Sequence, residues 1–238
     1  MKVILFDIDG TLVKPGIKCS DGTSLAECFD SAAKKVFNID SDITRINKKE
    51  YAGRTDTAIL LALLESYGLS RTEVMGHMPE LIAAYTESLK EKIKIADIHA
   101  TKGAAEILES LKSKGYHMGL ITGNVKETAK LKLEKVGLMG YFEFGGFGDM
   151  SEKRLDLATA AVKEAESLFK STIPSHNIFY FGDTPNDISM GKASGFTTII
   201  LPTGTFSSEE LMGYSPDYLV ESLERSDDIL GIIAGSRA

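Results

Sequence analysis

The chain has 238 residues, of which 43% are hydrophobic and 26% are charged, so it can form one large domain or a domain with an insertion. A net charge of −7 and a pI near 5.2 argue against a nucleic-acid-binding surface. Two cysteines, Cys19 and Cys28, cannot build a disulfide framework, and the apolar runs are too short to span a membrane. No secretory signal pattern is present, and we expect a cytoplasmic protein.

The first predicted element is a strand over residues 3–6. Its run VILF has no alternation, which is typical of a strand buried on both faces of a parallel sheet. Asp7 and Asp9 then lie at its carboxyl end, where open α/β sheets bind ligands, and Gly10 and Thr11 let the backbone turn. Taken alone, the pair of acids fits a polar turn and a functional site equally well.

Residues 14–96 are predicted to contain helices only. Apolar residues recur on one helical face over 24–37, Thr55 caps a second helix, and a third helical stretch, interrupted near Pro79, reaches about residue 93. A long helical insertion directly after an acid-bearing strand end predicts a cap over a site. The alternative is an N-terminal β-α-rich domain with no lid.

From residue 97 onward, predicted helices and strands alternate. The helices cover 103–114, 125–136 and 154–169, and the strands cover 116–121, 141–144, 178–181 and 197–201, with a last strand and helix beyond them. This alternation predicts the α/β class, with a parallel sheet and right-handed crossovers.

Polar side chains follow three of the predicted strands. Asp7 and Asp9 end the first, Thr122 ends a second and Asp183 ends a third, with Asp187 four residues later. Because the carboxyl ends of parallel strands line up at one sheet edge, these groups should converge. Several carboxylates cannot stay charged together unpaired, and a Mg²⁺ ion with oxygen ligands is the economical solution.

A phosphate bound at this edge would also need positive charge. Lys153 and Arg154 lie just before the helix predicted at 154–169. A cation there would pair with carboxylates and with a transferring phosphoryl group. For either residue alone, a solvated helix start is the simpler interpretation.

Four motifs occur in a fixed order along the chain: DIDGT at 7–11, Thr122, a basic residue, and GDTPND at 182–187. The chain resembles the haloacid dehalogenase-like superfamily, most closely its phosphatases similar to phosphoglycolate phosphatase. The resemblance spans nearly the whole chain. It implies a Rossmann-like three-layer core formed by residues 1–13 and 97–238, with 14–96 as an inserted helical cap.

The resemblance also implies roles for the acidic residues. Asp7 would be the nucleophile that forms an aspartyl-phosphate, and Asp9 would protonate the leaving oxygen and then activate water. Asp7, the backbone carbonyl of Asp9 and Asp183 would hold Mg²⁺, with Asp187 as a ligand or support. The substitution Asp9→Asn should therefore spare metal binding far more than Asp7→Asn does.

The phosphoryl oxygens would be bound by Thr122 and by the amides of Gly123 and Asn124, and Thr11 is placed with this phosphate-binding group. The basic residue is assigned to Arg154, because the spacing from Gly-Asp at 148–149 resembles relatives that carry arginine there, with Lys153 as the alternative. Arg54 lies where caps of this family present a substrate-reading loop. It could clamp a distal carboxylate or phosphate, or be only an exposed residue near a helix start.

These residues predict a Mg²⁺-dependent phosphatase that hydrolyses a small-metabolite phosphate monoester, as a monomer or homodimer, without nucleic acid or membrane partners. The alternatives are a phosphosugar mutase on the same scaffold and a non-catalytic regulatory protein. Haloacid dehalogenases and phosphonatases of the family manage without the second acid, so the presence of Asp9 disfavours both.

Overall fold

The computed structural model describes residues 1–235. Its strands are Val3–Phe6 (β1), His117–Ile121 (β2), Phe144–Gly146 (β3), Ile178–Gly182 (β4), Thr197–Ile200 (β5) and Tyr218–Leu219 (β6). Within the described residues they form one parallel sheet in the order β3-β2-β1-β4-β5-β6. The strand that carries the first two acids is therefore central.

The α-helices lie between the strands and after the last of them. They are Cys28–Phe37 (α1), Lys48–Tyr51 (α2), Asp56–Glu65 (α3), Arg71–Gly76 (α4), Met78–Lys92 (α5), Ala104–Ser113 (α6), Lys126–Lys135 (α7), Arg154–Phe169 (α8), Pro185–Ala193 (α9), Ser208–Met212 (α10) and Ser226–Gly235 (α11). None of the helices within residues 1–235 is long and apolar enough to cross a membrane.

The sheet is covered on both faces, which confirms the three-layer α/β class. Ile4 and Phe6 point into a core shared with α6, α7 and α11, whereas Val3 and Leu5 point into a second core shared with α8 and α9. Alternate side chains of one strand thus enter opposite apolar layers. This two-sided burial explains why the sequence of β1 shows no polar alternation.

Helices α1–α5, which lie between β1 and α6 in the sequence, form a separate apolar core. Phe29 of α1 stacks on Tyr85 of α5 with ring centroids 4.4 Å apart. The chain enters and leaves this helical segment along two neighbouring stretches, in which the amide of Lys14 donates to the carbonyl of His99 at 3.0 Å. The predicted helical insertion after the first strand is present, and α5 begins near Pro79, where the sequence predicted an interruption.

The strand predicted at 141–144 is wrong in position. Residues Met139–Tyr141 form a 3-10 turn, and the strand is the later Phe144–Gly146. The glycines permit this placement, because a Cβ on Gly146 would lie 2.0 Å from the carbonyl oxygen of Leu157 in α8. Close packing of helix on sheet, which local side-chain pattern does not reveal, selects the strand.

Candidate active site

The sheet register brings the predicted strand ends together. Phe6 lies opposite Leu120 on one side and Phe181 on the other. Asp7, Thr122 and Asp183 directly follow the last residues of β1, β2 and β4. The amide of Asp7 donates to the carbonyl of Phe181 at 2.9 Å, so the extended pairing continues to the first acid.

Three buried carboxylates lie at this edge, and we call Asp7, Asp183 and Asp187 the carboxylate cluster. Each has an oxygen within 4.8 Å of the others. Burial raises the pKa of Asp7 to about 7, against the opposing charge of Arg154 and with the help of Asp187. Burial and the two neighbouring acids also raise the pKa of Asp183 well above its usual range. The cluster therefore holds more negative charge than its surroundings neutralise.

Asp187 differs from the other two acids because its oxygens are occupied by the protein. One oxygen accepts from the amides of Asp183 at 3.2 Å and Thr184 at 3.0 Å and from the Thr184 hydroxyl at 2.6 Å. The other accepts from the hydroxyl of Tyr180 at 2.6 Å and from the guanidinium of Arg154. This arrangement holds the turn after β4 in place and orients the neighbouring acid.

Arg154 supplies the positive charge beside the cluster. Its side chain is 8% exposed, its Nη2 bonds Asp187 and the Tyr180 hydroxyl, and its Nη1 lies 3.7 Å from Asp7 Oδ1. Its Nε is buried without a hydrogen-bond partner among the described residues. Lys153, the alternative basic residue, is exposed at the start of α8.

Two glycines, Gly10 and Gly204, lie against the carboxylate of Asp183. A Cβ on Gly10, whose φ is +87°, would lie 2.1 Å from Asp183 Oδ2, and a Cβ on Gly204 would lie 1.7 Å from it. Thr11 is buried, and its hydroxyl donates to Asp183 Oδ1 at 3.5 Å. Glycine at both positions thus makes room for this carboxylate, and Thr11 contacts the acid directly.

Asp9 lies outside the carboxylate cluster. Its Oδ2 accepts from the Nζ of Lys132 at 2.6 Å and from the side-chain amide of Asn124 at 2.7 Å. Asn124 also donates to the hydroxyl of Thr122 at 2.9 Å, so the turn after β2 is bound to the turn after β1. Sequence reasoning missed Lys132, although α7 periodicity would have placed it on the buried face with Leu133.

The loop before α3 covers the edge of the sheet. The amide of Asp56 donates to the carbonyl of Gly123 at 2.8 Å, and the side-chain amide of Asn186 donates to the carbonyl of Ala52 at 2.8 Å. A Cβ on Gly123 would lie 2.2 Å from the carbonyl oxygen of Arg54, so the two loops touch through backbone. The exposed guanidinium of Arg54 lies 4.8 Å from the centre of the Tyr51 ring rather than on the carboxylate cluster.

Comparison with known proteins agrees with this fold and identifies the family. Residues 4–201 match the family of haloacid dehalogenase-like hydrolases. The chain is 26% identical over 240 residues to phosphoglycolate phosphatase of Aquifex aeolicus, covering 98% of this chain and 97% of that protein. The chain therefore belongs to the haloacid dehalogenase-like hydrolases.

Solved structures share the fold over nearly the whole chain. A hydrolase from Pseudomonas syringae superposes with a TM-score of 0.69 at 21% identity, covering 98% of this chain and 99% of that one. The β-phosphoglucomutase of Clostridium difficile gives a TM-score of 0.69 at 16% identity, covering 98% and 97%. Hydrolases and mutases are thus built on this same architecture.

Proposed function

We propose that the protein is a Mg²⁺-dependent phosphatase that hydrolyses a small-metabolite phosphate monoester through an aspartyl-phosphate on Asp7. The observation that carries the proposal is the convergence of Asp7, Asp183 and Arg154 at one sheet edge, with Asp9 and Thr122 beside them. We further propose that residues 1–13 and 97–238 form the catalytic core and 14–96 the cap, in a cytoplasmic monomer or homodimer.

Asp7 and Asp9, which follow the first strand, carry out different steps of the proposed reaction. An oxygen of Asp7 attacks phosphorus, and the bond from phosphorus to the leaving oxygen breaks while that oxygen takes its electron pair. Asp9 donates a proton to the leaving oxygen and then removes one from the water that hydrolyses the aspartyl-phosphate. The structure supports this division, because Asp7 is buried in the cluster whereas the Asp9 side chain is 39% exposed.

The residues of the carboxylate cluster fit a Mg²⁺ ion. Their donors are all oxygens, and three buried acids face the single guanidinium of Arg154. Asp7, Asp183 and the backbone carbonyl of Asp9 would hold the ion, and the occupied oxygens of Asp187 suit a supporting role. When bound, the ion neutralises charge on the transferring phosphoryl group.

The phosphoryl oxygens need donors besides a metal. We assign these to the Thr122 hydroxyl, the amides of Gly123 and Asn124, and the guanidinium of Arg154, whose buried Nε donates to no atom of residues 1–235. We assign Thr11 a positioning role, because its hydroxyl contacts Asp183 at the carboxyl edge of the sheet. Arg54, in the covering loop, is proposed to bind a distal anionic group of the substrate.

The named relative indicates which substrate to test first. Phosphoglycolate phosphatase shares 26% identity over nearly the whole chain, so small phosphate esters that carry a carboxylate come first. Phosphosugars come second, because a β-phosphoglucomutase shares the fold. A mutase would interconvert phosphosugars with a bisphosphate activator and release little phosphate, so one panel separates the two functions.

The test is phosphate release from a panel of several dozen metabolite esters, with Mg²⁺ and with EDTA. We expect Mg²⁺-dependent release that Asp7→Asn abolishes and that Asp227→Asn, which changes an exposed acid of α11, leaves unchanged. Phosphate esters hydrolyse so slowly unaided that a weak enzyme is readily visible. Purified, folded protein that turns over no ester in either buffer would refute the proposal and favour a regulatory role.

A further inference from the structure

Lys132 of α7 has a buried ammonium group that the proposed reaction leaves without a role. Its side chain is 9% exposed, whereas its helix neighbours Lys130 and Lys135 are exposed. The Nζ donates to Asp9 Oδ2 at 2.6 Å and to Asn124 Oδ1 at 2.6 Å. Burying an unpaired charge costs several kcal/mol, so these contacts decide where the group lies.

The contacts of Lys132 restrain the orientation of Asp9. The ammonium and the Asn124 side-chain amide reach the same carboxylate oxygen, at 2.6 and 2.7 Å. Asn124 is itself held by the Thr122 hydroxyl and by Lys132. Four side chains from two strand ends and one helix thus form a closed network, and a carboxylate held by two fixed donors keeps one orientation.

A second acid, Asp56 of the helical segment, packs against the helix that carries Lys132. Asp56 is buried at the start of α3, and its Oδ2 accepts from the amide of Val125 at 3.0 Å and from the Thr128 hydroxyl at 3.5 Å. Burial acts to lower the pKa of Lys132, but Asp9 and Asp56 together outweigh it and the pKa lies above its usual range. The charged form of Lys132 is therefore favoured while Asp9 is ionised.

We propose that Lys132 is a positioning residue that aims Asp9 at the leaving oxygen, with Asp56 as a second counter-charge when it is ionised. The inference rests on the proposed phosphatase function. Lys132 exchanges no proton: as the phosphorus to leaving-oxygen bond breaks, the proton moves from Asp9 to that oxygen. Because Asp56 belongs to the covering helical segment and accepts from Val125 and Thr128 at the start of α7, docking of that segment and the position of Lys132 are coupled through this helix.

The test uses the leaving-group dependence of kcat/KM, which reports steps up to formation of the aspartyl-phosphate. An alkyl alkoxide needs the proton from Asp9, whereas p-nitrophenolate leaves without one. We expect Lys132→Met to lower kcat/KM about 10²-fold for the best alkyl ester, and less than about threefold for p-nitrophenyl phosphate. Lys132→Arg, which keeps the charge, should recover part of the alkyl activity.

Controls separate positioning from general damage. Lys130→Met removes an exposed lysine of the same helix and should leave both rates unchanged. Asp56→Asn keeps a hydrogen-bond acceptor but removes the counter-charge, and it should lower the alkyl rate selectively. This second variant keeps the test available if Lys132→Met does not fold, as judged by circular dichroism.

Equal losses on the two esters in Lys132→Met, or in Asp56→Asn if the first variant is unfolded, would overturn the positioning role and leave the phosphatase standing. Wild-type protein that hydrolyses neither ester would refute the phosphatase and the positioning role together. A selective alkyl loss, with Mg²⁺ affinity by calorimetry unchanged, is the supporting result.

Discussion

Replacement of Arg154 by methionine removes the cation that faces the carboxylate cluster. The guanidinium lies 3.7 Å from Asp7 and bonds Asp187 directly. Two unit charges about 4 Å apart interact by about 4 kcal/mol at an effective dielectric constant of about 20. Removal of one partner of a buried pair also costs about 3–5 kcal/mol, because the other charge stays buried. We expect Arg154→Met to lower the free energy of unfolding by about that amount at pH 8.

The loss should depend on pH in a defined direction. The pKa of Asp7 is about 7 in the folded protein with Arg154 present, and because the guanidinium lowers this pKa, Arg154→Met should raise it further. Below pH 7 the Asp7 carboxyl is then protonated in both folded proteins, and the loss of its partner no longer matters. The Asp7 part of the stability difference between Arg154→Met and the wild type should therefore be greatest well above pH 7 and be lost as the pH falls through 7.

The assay is urea denaturation followed by far-UV circular dichroism, in buffer with EDTA. The matched control is Arg71→Met, which breaks an exposed pair with Glu152 at 2.5 Å and should cause no measurable loss. An Arg154→Met protein as stable as this control at pH 8 would show that the cluster does not depend on the guanidinium.

Three further predictions concern single side chains. Asp7→Asn should lower Mg²⁺ affinity in calorimetry about tenfold or more, and Asp9→Asn far less; equal losses would contradict the division of roles. Burial raises the pKa of Asp56 to about 6 from 3.8, so its ionisation destabilises the fold by about 3 kcal/mol above pH 6 and not below pH 4. Asp56→Asn should therefore gain stability relative to wild type as pH rises from 4 to 7 in urea titrations, and a pH-independent difference would argue against this. Gly204→Ala would place a Cβ 1.7 Å from an oxygen of the carboxylate cluster and should weaken Mg²⁺ binding, whereas Gly140→Ala, with open space around it, should not.

Several features could be predicted from local sequence. The unbroken apolar run of β1 predicted a strand buried on both faces, and alternation of strands and helices predicted a parallel sheet. Parallel strands end at one edge, so acids placed after β1 and β4 had to approach each other there. Asp187 was within reach for the same reason, because it lies four residues after Asp183 in a tight turn.

Other features depended on contacts between distant parts of the chain. Lys132 pairs with Asp9 across 123 positions of sequence, and Arg154 pairs with Asp187 across 33. The periodicity of α7 indicates that Lys132 is buried and the resemblance assigned Arg154 to the site, but neither identifies the acid that each side chain contacts. The position of β3 likewise followed from close packing of α8 on glycine.

The sequence by itself determined which acids follow which strands. It also determined that a helical insertion follows the first strand. Only the tertiary structure decided which charges became buried together. It separated Asp9 from the carboxylate cluster, paired Asp9 with Lys132, and placed Asp56 of the insertion against the start of α7. Periodicity and turn residues act over a few positions, whereas burial and pairing of charge depend on surfaces that meet only in the folded chain.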